Sequence, residues 1–261
     1  MHEIKEKYII KDFPELFEDY REKVFNLAHK MTGDINVAED VTQETFIKCY
    51  ENLKKFRGDS HVFTWLFTIT KNNCLRIIDK QKRNTSKELE QLLNTVSDDQ
   101  IDYFDNDKKT NYINQVREGC LLGLLKTLSF NQRIAFIMNV LQKHSIEVTA
   151  KIVDKSESAT RTLIHRARKN IKEFLCKNCS LYNVDNSCKC ENMINFSLKQ
   201  GWIKYNEFYP IDLPEKVEKE LKDSQKIFKL YSSLPVHLLP KKVSERMKNS
   251  DFLIFSEKKV K

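Results

Sequence analysis

Four of the seven cysteines lie close together around position 180, and their spacing could build a metal site. Two residues separate Cys176 from Cys179, eight more follow, and a single residue then separates Cys188 from Cys190. Four thiolates at this spacing can close a tetrahedral structural site around Zn²⁺. The C-x-x-C pair has the usual spacing of a zinc knuckle, whereas C-x-C is less common. A thiol redox switch and four unliganded cysteines remain as alternatives for the same residues.

The other reactive side chains form no catalytic constellation. The sequence has no H-E-x-x-H motif and no glycine-rich phosphate loop, and its six histidines are scattered. Cys49, Cys74 and Cys120 are also scattered, which argues against a framework of disulfides. A thiol oxidoreductase or a zinc hydrolase would therefore rest on the clustered cysteines alone. We expect a protein that is not an enzyme and requires no cofactor, with zinc at the cysteines as a structural option.

A basic helical segment precedes the cysteines and predicts a helix-turn-helix. In residues 144–174, HSIEVTAKIVDKSESATRTLIHRARKNIKEF, Asp154 and Lys155 would form the turn and Ser156 or Glu157 would open the second helix. Ala159, Leu163, Ile164 and Ala167 would face the core. The opposite side is predicted to contact DNA through Ser158, Arg161, Thr162, His165, Arg166 and Arg168. The alternative is the solvated basic face of an ordinary helical hairpin.

The elements that position these residues are predicted to be helices. Five glycines and five prolines punctuate 261 residues, and the apolar residues recur at helical spacing. A first helix would follow Pro14 and end at Gly33, and a second would start at Asn36 as its cap. A third would begin near Asp59 or Ser60 and bury Trp65, so that the three helices form one bundle. The fold class is therefore predicted to be all-α.

Composition divides the chain further. Residues 84–120 carry eight acidic and four basic side chains, and few apolar residues lie between Val96 and Tyr112, which predicts an acidic linker. Helical periodicity returns from Leu121 to Leu175, and the tail beyond Asn192 suggests two more helices. The net charge of +8 favours a polyanionic partner, although it also suits simple solubility. No apolar run approaches the roughly 20 residues that cross a bilayer, so we expect no membrane insertion and a cytoplasmic location.

Three motifs, AEDVTQETF, FRGDSHVFTWL and ATRTLIHRARK, resemble the extracytoplasmic-function (ECF) group of bacterial RNA polymerase sigma factors. The resemblance covers about Phe13 to Leu175. It implies two helical domains: a σ2-like bundle over 10–84 and a σ4-like helix-turn-helix over 120–175. Between them lies the linker 85–119, and a Cys-rich helical extension follows over 176–261. The implied partners are core RNA polymerase, promoter DNA and a candidate anti-sigma factor.

The same resemblance assigns roles to residues of the first domain. The polymerase would bind one polar stripe on the second helix, at Asp40, Gln43, Glu44, Lys48 and Glu51. The loop 56–62 resembles the segment that captures an unstacked base of the −10 element. Contacts to the −10 strand are expected from Arg57, Phe63, Lys71, Asn72, Asn73, Arg76 and Lys80.

Two departures from the family pattern stand out. Arg76 occupies a position where the family often has an acid, and Asp154 and Lys155 replace the usual glycine and apolar residue of the turn. A conventional helix-turn-helix regulator would also explain the second domain and the charge. Such a regulator would not require the polar stripe on the second helix or the FRGDS loop.

Overall fold

The structure, a computed structural model, describes residues 13–53, 56, 60–78, 86–94, 106–203, 223–232, 234 and 236–248. Throughout these residues the regular elements are helices. The one β-type pairing among them is an isolated bridge between Cys179 and Cys188. The all-α prediction is confirmed. The chain divides into two compact units: unit 1 takes residues 1–82, 145–160 and 236–261, and unit 2 takes 83–144 and 161–235. Arg57 and Lys80 lie outside the described residues.

Three helices form the core bundle of unit 1: α1 (Phe13–Thr32), α2 (Ile35–Asn52) and α3 (Val62–Ile78). They pack against one another pairwise, with Phe17 and Phe46 edge to face at a centroid distance of 4.9 Å. Gly33 ends α1 in the left-handed region at φ 68°, which glycine adopts without strain. The cap of α2 is Asp34 and not the predicted Asn36. Its carboxylate accepts the Val37 N–H at 3.1 Å, because the helix already begins at Ile35.

Unit 1 also contains α7 (Ile146–Val153), the first turn of α8 (Glu157–Asn178) and α11 (Lys241–Lys248). α7 packs against α3. The segment 236–248, named the strap below, lies along α1. Asn26 donates to the His237 carbonyl at 2.7 Å and accepts the His237 N–H at 2.9 Å, and Glu22 accepts the Leu239 N–H at 2.6 Å. The strap is thus tied to α1 through its backbone.

Unit 2 contains the rest of α8 together with α4 (Ser86–Asn94), α5 (Asn106–Thr127), α6 (Phe130–Phe136), a π-helical segment (Ile137–Leu141), a 3-10 turn (Glu191–Met193), α9 (Ile194–Lys199) and α10 (Asp223–Ser232). Two of these helices, α4 and the first half of α5, fall in the stretch predicted as an acidic linker. Tyr112 and Val116 of α5 are buried against Met193, Ile194 and Ile203. Because those partners follow about 80 residues later, the local sequence did not reveal them.

Candidate nucleic-acid and polymerase interfaces

Side-chain caps and a left-handed residue shape the helix-turn-helix. Ser145 caps α7 by accepting the Val148 N–H, and Ser156 accepts the Ala159 N–H at 3.2 Å at the start of α8. Between the helices Asp154 adopts φ 60° and ψ 54°, and its N–H donates to the Ala150 carbonyl. The conformation is the one that the usual glycine would adopt, and aspartate tolerates it better than most residues.

The basic face of α8 is exposed along its whole predicted DNA-contacting side. Ile164 and Ala167 are buried, while Ala159 and Leu163 are half-buried. The residues predicted to contact DNA are all exposed: Ser158, Arg161, Thr162, His165, Arg166 and Arg168. Glu157, one turn before Arg161, is the one acidic residue of the helix's first turn. The arrangement offers polar side chains near the N-terminus and cations farther along.

The polar stripe of α2 faces away from the buried residues of that helix. Asp40 and Glu51 are exposed, and Gln43 is half-buried. Ile47, an apolar residue that we did not predict, lies between them with 38% of its surface exposed. Its spacing of four residues from both Gln43 and Glu51 is the signal that could have identified it. The stripe is therefore a mixed surface with an apolar residue at its centre.

Three predicted contacts, two for polymerase and one for DNA, meet in a charge cluster. The Glu44 carboxylate lies 3.1 Å from the Lys48 ammonium and 3.2 Å from the Arg76 guanidinium. The hydrogen bond from Lys48 is the largest cause that lowers the pKa of Glu44; burial opposes it in part, and the charge of Lys48 and the hydrogen bond and charge of Arg76 lower the pKa further. Asn73, a predicted DNA contact, is buried: it accepts from Lys48 at 2.7 Å and donates to Thr45 at 3.1 Å. Its side chain joins α2 to α3.

A cavity of about 320 Å³ opens beside that junction. Its walls are Lys48, Asn52, Trp65, Ile69, Asn72 and Asn73. Trp65, for which the sequence predicts burial in the core, is half-buried, and its ring centroid lies 4.9 Å from that of Phe56. Phe63 does not line this cavity; its ring packs on that of Phe67, with 4.1 Å between the ring centroids. Asn72 is exposed at the edge of the cavity.

Comparison with known proteins identifies both halves of this arrangement. Sigma-70 region 2 matches residues 16–84, and sigma-70 region 4 matches residues 118–171. RNA polymerase sigma factor YlaC of Bacillus subtilis is 30% identical over 62% of this chain and 91% of its own length. The ECF RNA polymerase sigma-E factor of Salmonella typhimurium is 30% identical over 62% of this chain and 85% of its own length. The chain belongs to the ECF group of RNA polymerase sigma factors.

A solved structure of the sigma factor RpoE from Bartonella quintana in complex with the anti-sigma factor NepR is 23% identical. It covers 64% of this chain and 98% of that chain, with a TM-score of 0.45. As a member of the ECF group, the present chain works with core RNA polymerase on promoter DNA. Residues 172–261 lie outside both family matches.

One predicted −10 contact of the sigma factor is covered. Lys71 retains only 8% of its surface, and burial lowers the pKa of its ammonium group. The charge of Asp154 in the helix-turn-helix opposes that shift, whereas Lys155 adds to it. In the described conformation the turn after α7 therefore lies close to the helix expected to contact the −10 strand.

The four cysteines predicted as metal ligands differ in their exposure. Cys179, Cys188 and Cys190 are partly buried, whereas Cys176 is exposed near the end of α8. Cys120 on α5, one of the scattered cysteines, is close enough to Cys179, Cys188 and Cys190 that their charges raise the pKa of its thiol. Cys120, which is distant in sequence, thus lies near these three cysteines of the extension. Sequence spacing gave no signal for it.

No helix among the described residues is long and apolar enough to span a membrane.

Proposed function

We propose that this sigma factor uses three separate surfaces: the basic face of α8 for the −35 duplex, the polar stripe of α2 for core polymerase, and the cavity beside α3 for the melted −10 strand. The observation that carries the proposal is the uninterrupted exposure of the six predicted DNA contacts on α8. The chain itself contributes no catalytic step, and it acts in the cytoplasm together with the polymerase.

Residues near the start of α8 and residues farther along it have different tasks: the first recognise bases and the second bind phosphates. Side chains near the start of a recognition helix reach base edges, so Ser158, Arg161 and Thr162 set the −35 preference. Arg166 and Arg168 lie farther along and neutralise phosphates, which contributes affinity that falls with salt.

The cavity beside α3 suits one base taken out of the stack. Stacking on an aromatic side chain contributes about 1–3 kcal/mol per base, which offsets the few kcal/mol needed to unstack it. Trp65 supplies the ring, Asn72 an amide that can hydrogen-bond a base edge, and Lys48 a cation within the wall. Asn73 holds the wall in place and does not itself contact DNA.

Engagement of the −10 strand by Lys71 requires α7 to leave α3. With 8% of its surface exposed, Lys71 is covered in the conformation described here. We therefore assign this conformation to the protein before it binds a promoter.

The stripe on α2 docks on the polymerase through charge around an apolar centre. Asp40 lies two helical turns before Ile47, and Glu51 lies one turn after it. Charges at the rim mainly orient the encounter, and the apolar residue gains from leaving water. An anti-sigma factor belongs to the same proposal, as a protein that would cover this stripe and compete with polymerase for it.

The −35 assignment is tested by replacing Arg161 and Arg166 with alanine in the full chain. Loss of one phosphate contact lowers the slope of log K against log salt by about 0.9, and loss of a base contact costs about 1–3 kcal/mol of discrimination. We expect Arg166→Ala to reduce the salt slope and Arg161→Ala to relax the sequence preference. Lys241→Ala plus Lys242→Ala, on exposed positions of α11, is the charge control. Equal loss of promoter binding in the control would refute the assignment.

The polymerase assignment is tested with Asp40→Arg plus Glu51→Arg. These substitutions avoid the Glu44 cluster, whose reversal would place a cation against Lys48 and Arg76. We expect weaker binding to core polymerase with unchanged binding to promoter duplex. Glu15→Arg plus Asp19→Arg on exposed positions of α1 makes the same change in charge. Unchanged polymerase affinity in the stripe variant would refute the docking surface.

A further inference from the structure

The loop after α8 holds Cys179 and Cys188 side by side. The Cys179 carbonyl accepts the N–H groups of Tyr182 at 3.1 Å and Asn183 at 2.9 Å, which turns the chain back on itself. Ser180 then donates its N–H to the Cys188 carbonyl at 3.2 Å, and Cys179 and Cys188 form an isolated bridge. Backbone N–H groups of Leu181 and Tyr182 donate to the sulfur of Cys179. Such a knuckle presents one sulfur with donors already aimed at its negative charge.

Two ties, from Arg117 and Lys109, connect Cys190 and its neighbour Glu191 to α5. Arg117 donates a side-chain hydrogen bond to the sulfur of Cys190, and Lys109 pairs with Glu191 at 3.0 Å. Cys190 also packs against the buried cluster that contains Tyr112. Both ties come from the helix that carries Cys120, which lies three residues after Arg117 on nearly the same face.

The four thiols near this junction interact electrostatically. Cys188 and Cys190 follow α8 in the chain, Cys120 lies on α5, and all three are partly buried, as is Cys179. The charges of Cys179, Cys190 and Cys188 all raise the pKa of the Cys120 thiol, so the four cysteines lie near one another. A cluster of four cysteines drawn from two distant parts of the chain supplies the donor type that structural zinc sites use.

We propose that Cys120, Cys179, Cys188 and Cys190 bind one Zn²⁺ as a tetrathiolate site, with Cys120 in place of the exposed Cys176. Binding forms four Zn–S bonds and releases up to four thiol protons to solvent. A tetrahedron with Zn–S bonds of about 2.3 Å needs sulfurs about 3.8 Å apart. Among the described residues no three of these sulfurs are all within 4.8 Å of one another, so binding draws them together.

The site would connect the end of the DNA-reading helix to α5. Cys179 directly follows α8, and Cys120 lies within α5. Tyr231 of α10 donates to the Leu121 carbonyl at 3.2 Å, next to Cys120, and is almost fully buried there. Zinc would therefore tie the end of α8 to α5, beside the contact from Tyr231 of α10, and its removal should loosen the last turns of α8.

The ligand set is tested in the wild-type chain by alkylation with iodoacetamide and mass spectrometry, with and without one equivalent of Zn²⁺, under reducing conditions. We expect Zn²⁺ to protect Cys120, Cys179, Cys188 and Cys190, while Cys176 is labelled in both states. Cys49 and Cys74 are fully buried and provide internal controls. Protection of Cys176 with labelling of Cys120 would overturn the assignment, as would an unchanged labelling pattern.

A matched pair of variants gives the affinity. Cys176→Ser should bind one Zn²⁺ like the wild type, and Co²⁺ in its place should show the visible absorption of tetrahedral thiolate ligation. Cys120→Ser should bind at least 100-fold more weakly, beyond the roughly 10–100-fold cost of losing an outer-shell partner. Far-UV circular dichroism checks that both variants keep their helices. Equal affinities in the two variants would overturn the proposal.

Discussion

Asn72 and Asn73 are neighbours with opposite predicted roles, and replacing each with alanine separates structure from DNA binding. Asn73 loses a hydrogen bond to a charged group, worth about 1.5–3 kcal/mol, and a neutral one, worth about 0.5–1.5 kcal/mol. Lys48 is partly exposed and keeps Glu44 as a partner, so the cost lies near the low end of the sum. We expect Asn73→Ala to lower the free energy of unfolding of unit 1 by about 2–3 kcal/mol. Asn72 is exposed, and its loss should change stability by less than about 0.5 kcal/mol.

Urea unfolding followed by the fluorescence of Trp65 measures the effect. The chain has two tryptophans, so a Trp202→Phe background, at a position that is 56% exposed, leaves Trp65 as the single probe of unit 1. Promoter opening is followed in parallel with a fluorescent base in the −10 element. Asn72→Ala should impair opening at full stability. A stable Asn73→Ala protein, or a loss of stability in Asn72→Ala as large as in Asn73→Ala, would refute the reasoning.

Three further substitutions test other parts of unit 1. Lys71→Met should raise stability at pH 7 while reducing promoter opening. Because burial lowers the pKa of Lys71, the gain should shrink as the pH of the unfolding experiment rises toward its ordinary pKa of 10.5, and a gain independent of pH would contradict this cause. Asp154→Val should cost about 1–3 kcal/mol, since a β-branched residue is strained at φ 60°, whereas Asp154→Gly should stay within about 1 kcal/mol of the wild type in thermal unfolding. Met247→Ala should cost about 2–5 kcal/mol by leaving a cavity under α11, with exposed Glu245→Ala as control; hydrogen exchange in α1 that stays unchanged would show that the strap does not pack there.

Local patterns in the sequence predicted most of the helices and the exposed face of α8. Apolar spacing and capping residues act over one or two turns, so Ser156 and Gly33 could be interpreted directly. The family resemblance, carried by three motifs, led to the sigma factor assignment that the comparisons support.

Long-range packing accounts for what the sequence did not reveal. Tyr112 turns a polar stretch into a packed helix because its partners follow Cys190 in the chain. Cys120 joins the other cysteines across about 60 residues, which no spacing rule covers. The type and position of Asn73 predict a DNA contact, yet its side chain is buried and hydrogen-bonds to Lys48 and Thr45 of α2. Each case depends on a neighbour distant in sequence.

The strap gives the chain an unusual order of assembly. Arg21 bonds to Ser244, and Asn26 bonds to His237, across more than 200 residues of intervening chain. Contacts so distant in sequence form late in folding, since a long loop must close first. During synthesis α1 emerges early and remains uncovered on this side until residue 248 has left the ribosome. A nascent sigma factor therefore passes through a stage in which the polymerase-binding helices are complete and the strap has yet to arrive.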